Sequence, residues 1–299
     1  MRKRPKEKYR LESAPIPLRP DFPIGLGVPT FYEQDDRPIS FLHVHDCLEI
    51  GYWAAGSGIF VVEEKIMPYR AGDVVVTAPG DFHFCQSKPG TVSSGAWVFL
   101  DPARLIPASL AESRFLSPAA LSGPAFRNIL PAAKHPEIVG LVKALIAELR
   151  DRPDGYRSAV RGLVLLLLVR LQRLAPGAPR VQEAGRAAKR RRLAIERIAP
   201  ALEIMARDHA RPIAIRELAG ACYSSPTNFR RLFRAAVAKS PLAYLTQLRI
   251  QLAAGLLAGT EQGISEIARQ AGFLTLSSFN RHFKRITGAS PRRWRVNNA

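Results

Sequence analysis

Acidic side chains are scarce in this chain: 25 Asp and Glu stand against 44 Lys and Arg in 299 residues, a formal charge of +19. A surplus of that size argues against acidic partners being repelled and for a polyanion being attracted, nucleic acid first among them. Cysteine is scarce too. Cys47, Cys85 and Cys222 have neither paired metal-ligand spacing nor an even count, which excludes a disulfide scaffold and fits a reducing, cytoplasmic compartment. Long apolar runs are missing: residues 1–20 lack a signal-peptide core, and the run 163–169 stops at Arg170, too short to span a bilayer. Neither export nor a membrane role is expected.

What is present is enough chain for two domains, each with its own core. Residues 193–299 hold 16 Lys and Arg against 6 Asp and Glu, so +10 of the charge lies in about a third of the length. The same segment carries a local pattern. Ile264, Ile267, Ala268 and Ala271 fall at i, i+3, i+4, i+7, one apolar stripe of a short helix, and Gly272 supplies the backbone freedom that a helix end needs. Thr275 can cap a second helix whose Phe279, Phe283 and Ile286 point inward, which leaves Leu276, Ser277, Asn280, Arg281 and Lys284 outside.

The pattern occurs twice. Ile215, Leu218, Ala219 and Cys222 repeat the stripe, Ser225 and Pro226 open the next helix, and Phe229, Leu232 and Phe233 face inward. Thr227, Asn228, Arg230 and Arg231 remain on the outer face. Phe229, Arg231, Phe233, Ser240, Pro241 and Tyr244 match Phe279, Arg281, Phe283, Ser290, Pro291 and Trp294 at one constant offset, and only the turn is one residue longer in the second copy. Such faces suit a major groove, where Arg reads guanine and Asn reads adenine through paired hydrogen bonds. Between the copies, Leu245, Leu248, Leu252 and Leu256 give a helix over 241–257, about 25 Å long.

Residues 193–296 resemble the C-terminal DNA-binding domain of AraC/XylS-type transcription regulators, most specifically in 264–272, 279–283 and the run Gly288, Ala289, Ser290, Pro291. The resemblance implies two helix-turn-helix units joined by a long helix, with recognition helices in successive major-groove segments of double-stranded DNA.

Upstream the pattern changes to short strand-like runs at 48–53, 58–63, 74–77 and 95–100, separated by Gly, Pro and Asp turns, which reads as a small antiparallel barrel. His43, His45, Glu49 and Gly56, then Gly72, Asp73, Pro79, Gly80 and His83, resemble the two motifs of the cupin superfamily, a sensor fold common at the N-terminus of AraC-type regulators. On a strand period of two, His43, His45, Glu49, Cys47 and Trp53 could share the interior. The resemblance gives His43, His45, Glu49 and His83 two readings. They are the four ligands that cupin enzymes give a divalent transition metal, or they are polar groups of an effector pocket without metal or other cofactor; the second is expected here. Trp53 could stack on a sugar or aromatic ligand, and a sugar or sugar derivative is the effector expected.

Two helical stripes follow, Ile138 to Leu149 and Val160 to Leu174. The second is broad enough to leave apolar surface for a partner subunit, with Leu145 and Leu167 as the expected seam of a homodimer. The organisation expected is therefore α+β. An extended arm (1–23) precedes a cupin-like β-barrel with flanking helices (24–175), then a polar linker (176–192) and an all-α domain with two helix-turn-helix units joined by a long helix (193–299). A ligand-responsive, sequence-specific regulator is expected, with a small-molecule effector, DNA and RNA polymerase as partners. A metal-dependent cupin enzyme with a DNA-binding appendage is the alternative; a DNA-repair methyl acceptor would need a zinc-held acceptor cysteine that Cys47 and Cys85 do not provide.

Overall fold

The computed structural model describes residues 10–13, 16–27, 29–36, 41–88, 90–123, 125–175 and 181–298. Its strands in chain order are β1 (Arg10–Ser13), β2 (Ile24–Leu26), β3 (Tyr32–Gln34), β4 (Phe41–Val44), β5 (Leu48–Ala55), β6 (Ser57–Val62), β7 (Lys65–Arg70), β8 (Val74–Thr77), β9 (His83–Ser87), β10 (Ser93–Leu100) and β11 (Ile129–Leu130). Short helices α1 (Pro102–Leu105) and α2 (Ser113–Leu116) follow β10. The long ones are α3 (Pro136–Asp151), α4 (Tyr156–Arg173), α5 (Val181–Asp208) and α8 (Pro241–Gly259). The two helix pairs are α6 (Ile215–Ala221) with α7 (Pro226–Val237), and α9 (Ile264–Gln270) with α10 (Leu276–Thr287); α11 (Pro291–Asn298) closes the chain. No helix among the described residues is long and apolar enough to cross a membrane.

The barrel is two sheets, in the orders β1-β4-β9-β6-β7 and β11-β8-β5-β10-β2, with β3 beside β10. Alternation decides which residues go where. On β5, Leu48 and Ile50 join the core beneath α3 and α4, while Trp53 turns inside with Phe60, Tyr69 and Val75. The inner side of α3 and α4 is spent on this core: Val142, Leu145, Val164 and Leu167 are all fully buried. Leu145 and Leu167 are thus no dimer seam, because the stripe that the sequence offers to a partner is consumed by the barrel.

The arm departs from expectation as well. Residues 10–13 form a strand in parallel pairing with β4, from Arg10 opposite Phe41 to Ser13 opposite Val44. Residues 1–9 and 14–15 lie outside the described residues. The linker is shortened: α5 begins at Val181 and runs on into the second domain, so helix replaces most of the expected coil, and 176–180 lie outside the described residues. Of the basic run 189–192, Arg190 is exposed and the other side chains fall outside the description.

The second domain forms two cores on either side of α8. Phe229, Leu232, Phe233, Leu245 and Leu248 pack with α5, while Ile267, Ala268, Phe279, Phe283 and Trp294 surround the C-terminal part of α8. Gly272 lets the two units meet. Its φ is +88°, and a Cβ there would fall 2.7 Å from the carbonyl oxygen of His209 and 2.9 Å from the Cα of Ala210. Arg249 fastens the same place, donating from Nε to the His209 carbonyl at 2.7 Å and from Nη2 to the Arg211 carbonyl at 2.9 Å.

The outer face of the first sheet covers the side of α8 that a lone helix-turn-helix domain would leave wet. Val44, Val61, Phe82 and Phe84 enter the core of the first unit, and Ile59 that of the second. Polar contacts accompany them. Gln247 and Gln251 both donate to the Glu63 carbonyl in the β6–β7 turn, Lys239 pairs with Glu64, and Gln86 Nε2 donates to the Gly255 carbonyl at 3.1 Å.

Candidate nucleic-acid interface and ligand pocket

The recognition helices are built as their sequence predicts. Ser225 Oγ accepts from the Asn228 N–H at 3.3 Å and Thr275 Oγ1 from the Ser278 N–H at 3.2 Å, so each helix begins at a side-chain cap. Each ends at a left-handed residue, Ala238 and Gly288. Phe229, Phe233, Phe279 and Phe283 are fully buried, which fixes the rotation of both helices. Thr227, Arg230 and Arg231 on α7, and Leu276, Ser277, Asn280, Arg281 and Lys284 on α10, are accordingly exposed.

Asn228 differs from the rest. It is half-buried, its Nδ2 donates to Ser224 Oγ at 2.9 Å, and its Oδ1 accepts from Arg231 Nη2 at 2.8 Å. With both ends engaged, it orients the Arg231 guanidinium. The equivalent place in α10 is Ser278, so the two arginines leave their helices with different support.

The pocket lies inside the barrel. A cavity of about 430 Å³ has His43, His45, Glu49, His83 and Gln34 among its polar groups. Tyr32, Phe60, Phe84, Trp97 and Phe99 supply aromatic wall, and Cys85 also lines it. Its size and its mix of apolar wall with few polar groups suit a small organic ligand. Trp53 does not reach the cavity. It faces the interior, as its strand period predicts, but is stacked on Tyr69 with ring centroids 4.0 Å apart and covered by Trp97 at 4.9 Å. Trp97, on β10, is the tryptophan available to a ligand.

Cross-strand pairing brings the polar groups together. His43 on β4 is opposite His83 on β9, and their rings stack at 5.7 Å. His83 Nε2 is 2.9 Å from Glu49 Oε2, and its Nδ1 is 3.0 Å from the Asp81 carbonyl oxygen. Both partners only accept, so bonding to both requires a doubly protonated ring. Burial opposes that charge, but Glu49 and Asp81 together outweigh it and hold the His83 pKa above the ordinary histidine value. Burial likewise opposes charge on Glu49, and the nearby histidines, His83 foremost, outweigh it and hold the carboxyl below its usual range. His43 goes the other way: burial, helped by His83, lowers it to about 3, so it stays neutral.

For a metal, the fit is partial. Donor atoms of His45, Glu49 and His83 lie within 4.8 Å of one another, with His45 Nε2 3.5 Å from Glu49 Oε2, a spacing that a divalent transition ion could bridge. The convergent set leaves out His43, so the fourth ligand expected from the motif is not brought in. Glu49 Oε2 already has His83 Nε2 beside it at 2.9 Å.

Comparisons with known proteins agree with both halves. The family model for an AraC-like ligand binding domain matches residues 28–169, and that for a helix-turn-helix domain matches 218–297. The HTH-type transcriptional regulator AlkR of Acinetobacter baylyi is 36% identical over 85 residues; the match spans 28% of each chain, less than a third of that relative's length. A putative AraC-like transcription regulator of Streptomyces antibioticus is 27% identical over 235 residues, 73% of this chain and 75% of its own. Among solved structures, ToxT of Vibrio cholerae aligns over 93% of this chain and 100% of its own at 10% identity, with a TM-score of 0.40. The alternative of a metal-dependent enzyme finds no support among these relatives. With an AraC-like ligand-binding domain matched at one end and a helix-turn-helix domain at the other, the chain belongs to the AraC/XylS family of transcription regulators.

Proposed function

We propose that this regulator reads duplex DNA through the exposed faces of α7 and α10 and that a small molecule in the barrel cavity controls it through β9. The observation that carries the reading is the two-sided use of that strand. His83, Phe84 and Cys85 all border the cavity, while Phe84 also packs in the core of the first helix-turn-helix unit and Gln86 bonds to α8. A ligand that moves β9 therefore moves a surface on which both units rest. Arg231 and Arg281 are the base readers, Asn228 orients the first of them, and Lys284 meets phosphate.

The effector class that suits the cavity is a small molecule with an aromatic or apolar body and a hydrogen-bonding end: the body lies against Trp97 and Phe99 and the end meets His45 and Glu49. A sugar derivative is one such class, with Trp97 in place of Trp53 as the stacking ring. The protein works in the cytoplasm as a homodimer, with RNA polymerase as the further partner this activity calls for. We place the dimer contact on the outward strip of α4, where Leu166 is 45% exposed.

Selection of binding sequences from a random duplex library with the full-length chain tests the reading. The expected product is a motif of two segments about one helical turn apart; enrichment of no sequence would refute it. A second arm tests the coupling without a known ligand. Cys85→Phe fills part of the cavity from β9, and it is expected to shift affinity for the selected duplex about fivefold, a shift that shrinks when Gln86 is also replaced by Ala.

A further inference from the structure

The two helix-turn-helix units differ at a backbone position that the fold treats alike. The residue after the C-cap of α6 is Tyr223, with φ +48°; its counterpart after the C-cap of α9 is Gly272, with φ +88°. Both turns close with the same bonds. The Tyr223 and Ser224 N–H groups donate to the carbonyls of Gly220 and Ala219 at 3.0 and 2.9 Å, and those of Gly272 and Phe273 donate to Arg269 and Ala268, both at 3.0 Å.

Gly272 needs to be glycine for φ and for space. Tyr223 is the reverse case, since a bulky L residue in the left-handed region is strained and its side chain is 100% exposed. The fold thus gains nothing from tyrosine at this position. The second unit arrives at a similar result by another route. Its turn is one residue longer, and the added residue, Leu274, is 94% exposed and directly precedes the cap Thr275. Each unit therefore holds one large, fully exposed side chain with apolar surface at the N-terminal end of its recognition helix, the end that enters the groove.

We propose that Tyr223 is a DNA-contacting residue that positions the first unit, its ring lying along the deoxyribose edge and its hydroxyl donating to a backbone phosphate oxygen, with Leu274 making the apolar part of the same contact in the second unit. This rests on α7 and α10 being the groove-facing helices. Tyrosine hydroxyls are regular donors to phosphate, and residues strained in this way persist where function uses them. The contact is neutral and touches no base. It strengthens binding to any duplex and leaves the salt slope unchanged.

The test uses the full-length chain, a duplex enriched from a random library, and a scrambled duplex. Tyr223→Gly relieves the backbone and removes the side chain, so the melting temperature is expected to rise by about 2–4 °C. Affinity for both duplexes is expected to fall about tenfold, as loss of a hydrogen bond to a charged group implies. Tyr223→Phe keeps the strain and the ring, and is expected to melt as the wild type and bind with intermediate affinity. Leu274→Ser should weaken both duplexes as well. A Tyr223→Gly chain that binds both duplexes like the wild type overturns the proposal, and so does one that melts lower, because Tyr223 would then be holding the fold. Arg231→Ala separates this from the underlying reading: if it weakens the selected duplex while Tyr223→Gly does not, Tyr223 alone is misassigned, and if neither does, α7 is not the groove helix.

Discussion

Gln86 on β9 bonds through Nε2 to the carbonyl of Gly255 on α8, at 3.1 Å and 169 positions away in sequence, and so ties the strand lining the cavity to the helix between the recognition units. A Cβ added at Gly255 would fall 2.5 Å from Gln86 Oε1. Alanine for glycine inside a helix normally stabilises by about 0.5–1 kcal/mol. Here the methyl would displace Gln86, and an unsatisfied buried amide costs about 1–3 kcal/mol. Gly255→Ala is therefore expected to destabilise the wild-type chain but to stabilise a Gln86→Ala chain, as read from denaturant midpoints. An equal gain in both backgrounds would mean that Gln86 is not seated on α8.

Base reading and charge should separate on α10. Arg281→Ala is expected to weaken a selected duplex about tenfold or more while barely changing binding to a scrambled one. Lys284→Ala should weaken both alike and lower the salt slope by about one. Equal losses on the two duplexes for Arg281→Ala would show that Arg281 holds only the backbone. Gel-shift titrations at two salt concentrations measure all of this.

Asn228 should behave as a support for Arg231. Asn228→Ala frees the guanidinium that Asn228 Oδ1 now holds at 2.8 Å, so its loss on the selected duplex should nearly vanish once Arg231 is already Ala. Additive losses in that double-mutant cycle would instead make Asn228 a reader in its own right.

On α4, neighbouring leucines should part company. Leu167 is fully buried beneath the barrel, and Leu167→Ala should cost about 2–5 kcal/mol of stability at any protein concentration. Leu166→Glu should leave melting of the subunit almost unchanged and shift sedimentation toward monomer. A wild-type chain that is monomeric at high concentration removes the seam altogether.

Replacing His45 by Ala addresses the metal question. The barrel is expected to stay folded and ligand-free DNA binding to stay near the wild-type level, with less than one equivalent of metal per chain in protein purified without chelator. Loss of a stoichiometric metal on this change would make His45, Glu49 and His83 a true metal centre.

The helix-turn-helix units were legible because their signals are local. Stripe, cap and turn lie within about ten residues, and Ser225, Thr275 and the four phenylalanines do what their spacing implies. Strand period also put Glu49 and Trp53 inside the barrel, but it fixes a face and says nothing about depth: Trp97 lines the cavity and Trp53 does not. What stayed hidden depends on distant partners. Gln247 and Gln251 lie off the stripe of Leu245, Leu248, Leu252 and Leu256, and the Glu63 carbonyl, 184 and 188 positions away, is the partner that accompanies their burial. Leu145 and Leu167 failed as a seam for the same reason, since a stripe does not state which surface it meets.

The close approach at Gly272 makes the two units non-interchangeable. They look like copies of one module, yet the second presses its turn against the backbone of His209 and Ala210 at the doorway of the first, where no Cβ fits. A chain carrying the first module twice would bring tyrosine into that doorway and force the modules apart. Reversing their order would leave the tyrosine-bearing turn facing inward and the glycine-bearing one idle at the surface. The tandem therefore has a fixed polarity, and with it a fixed sense in which the protein can be laid along an asymmetric stretch of DNA.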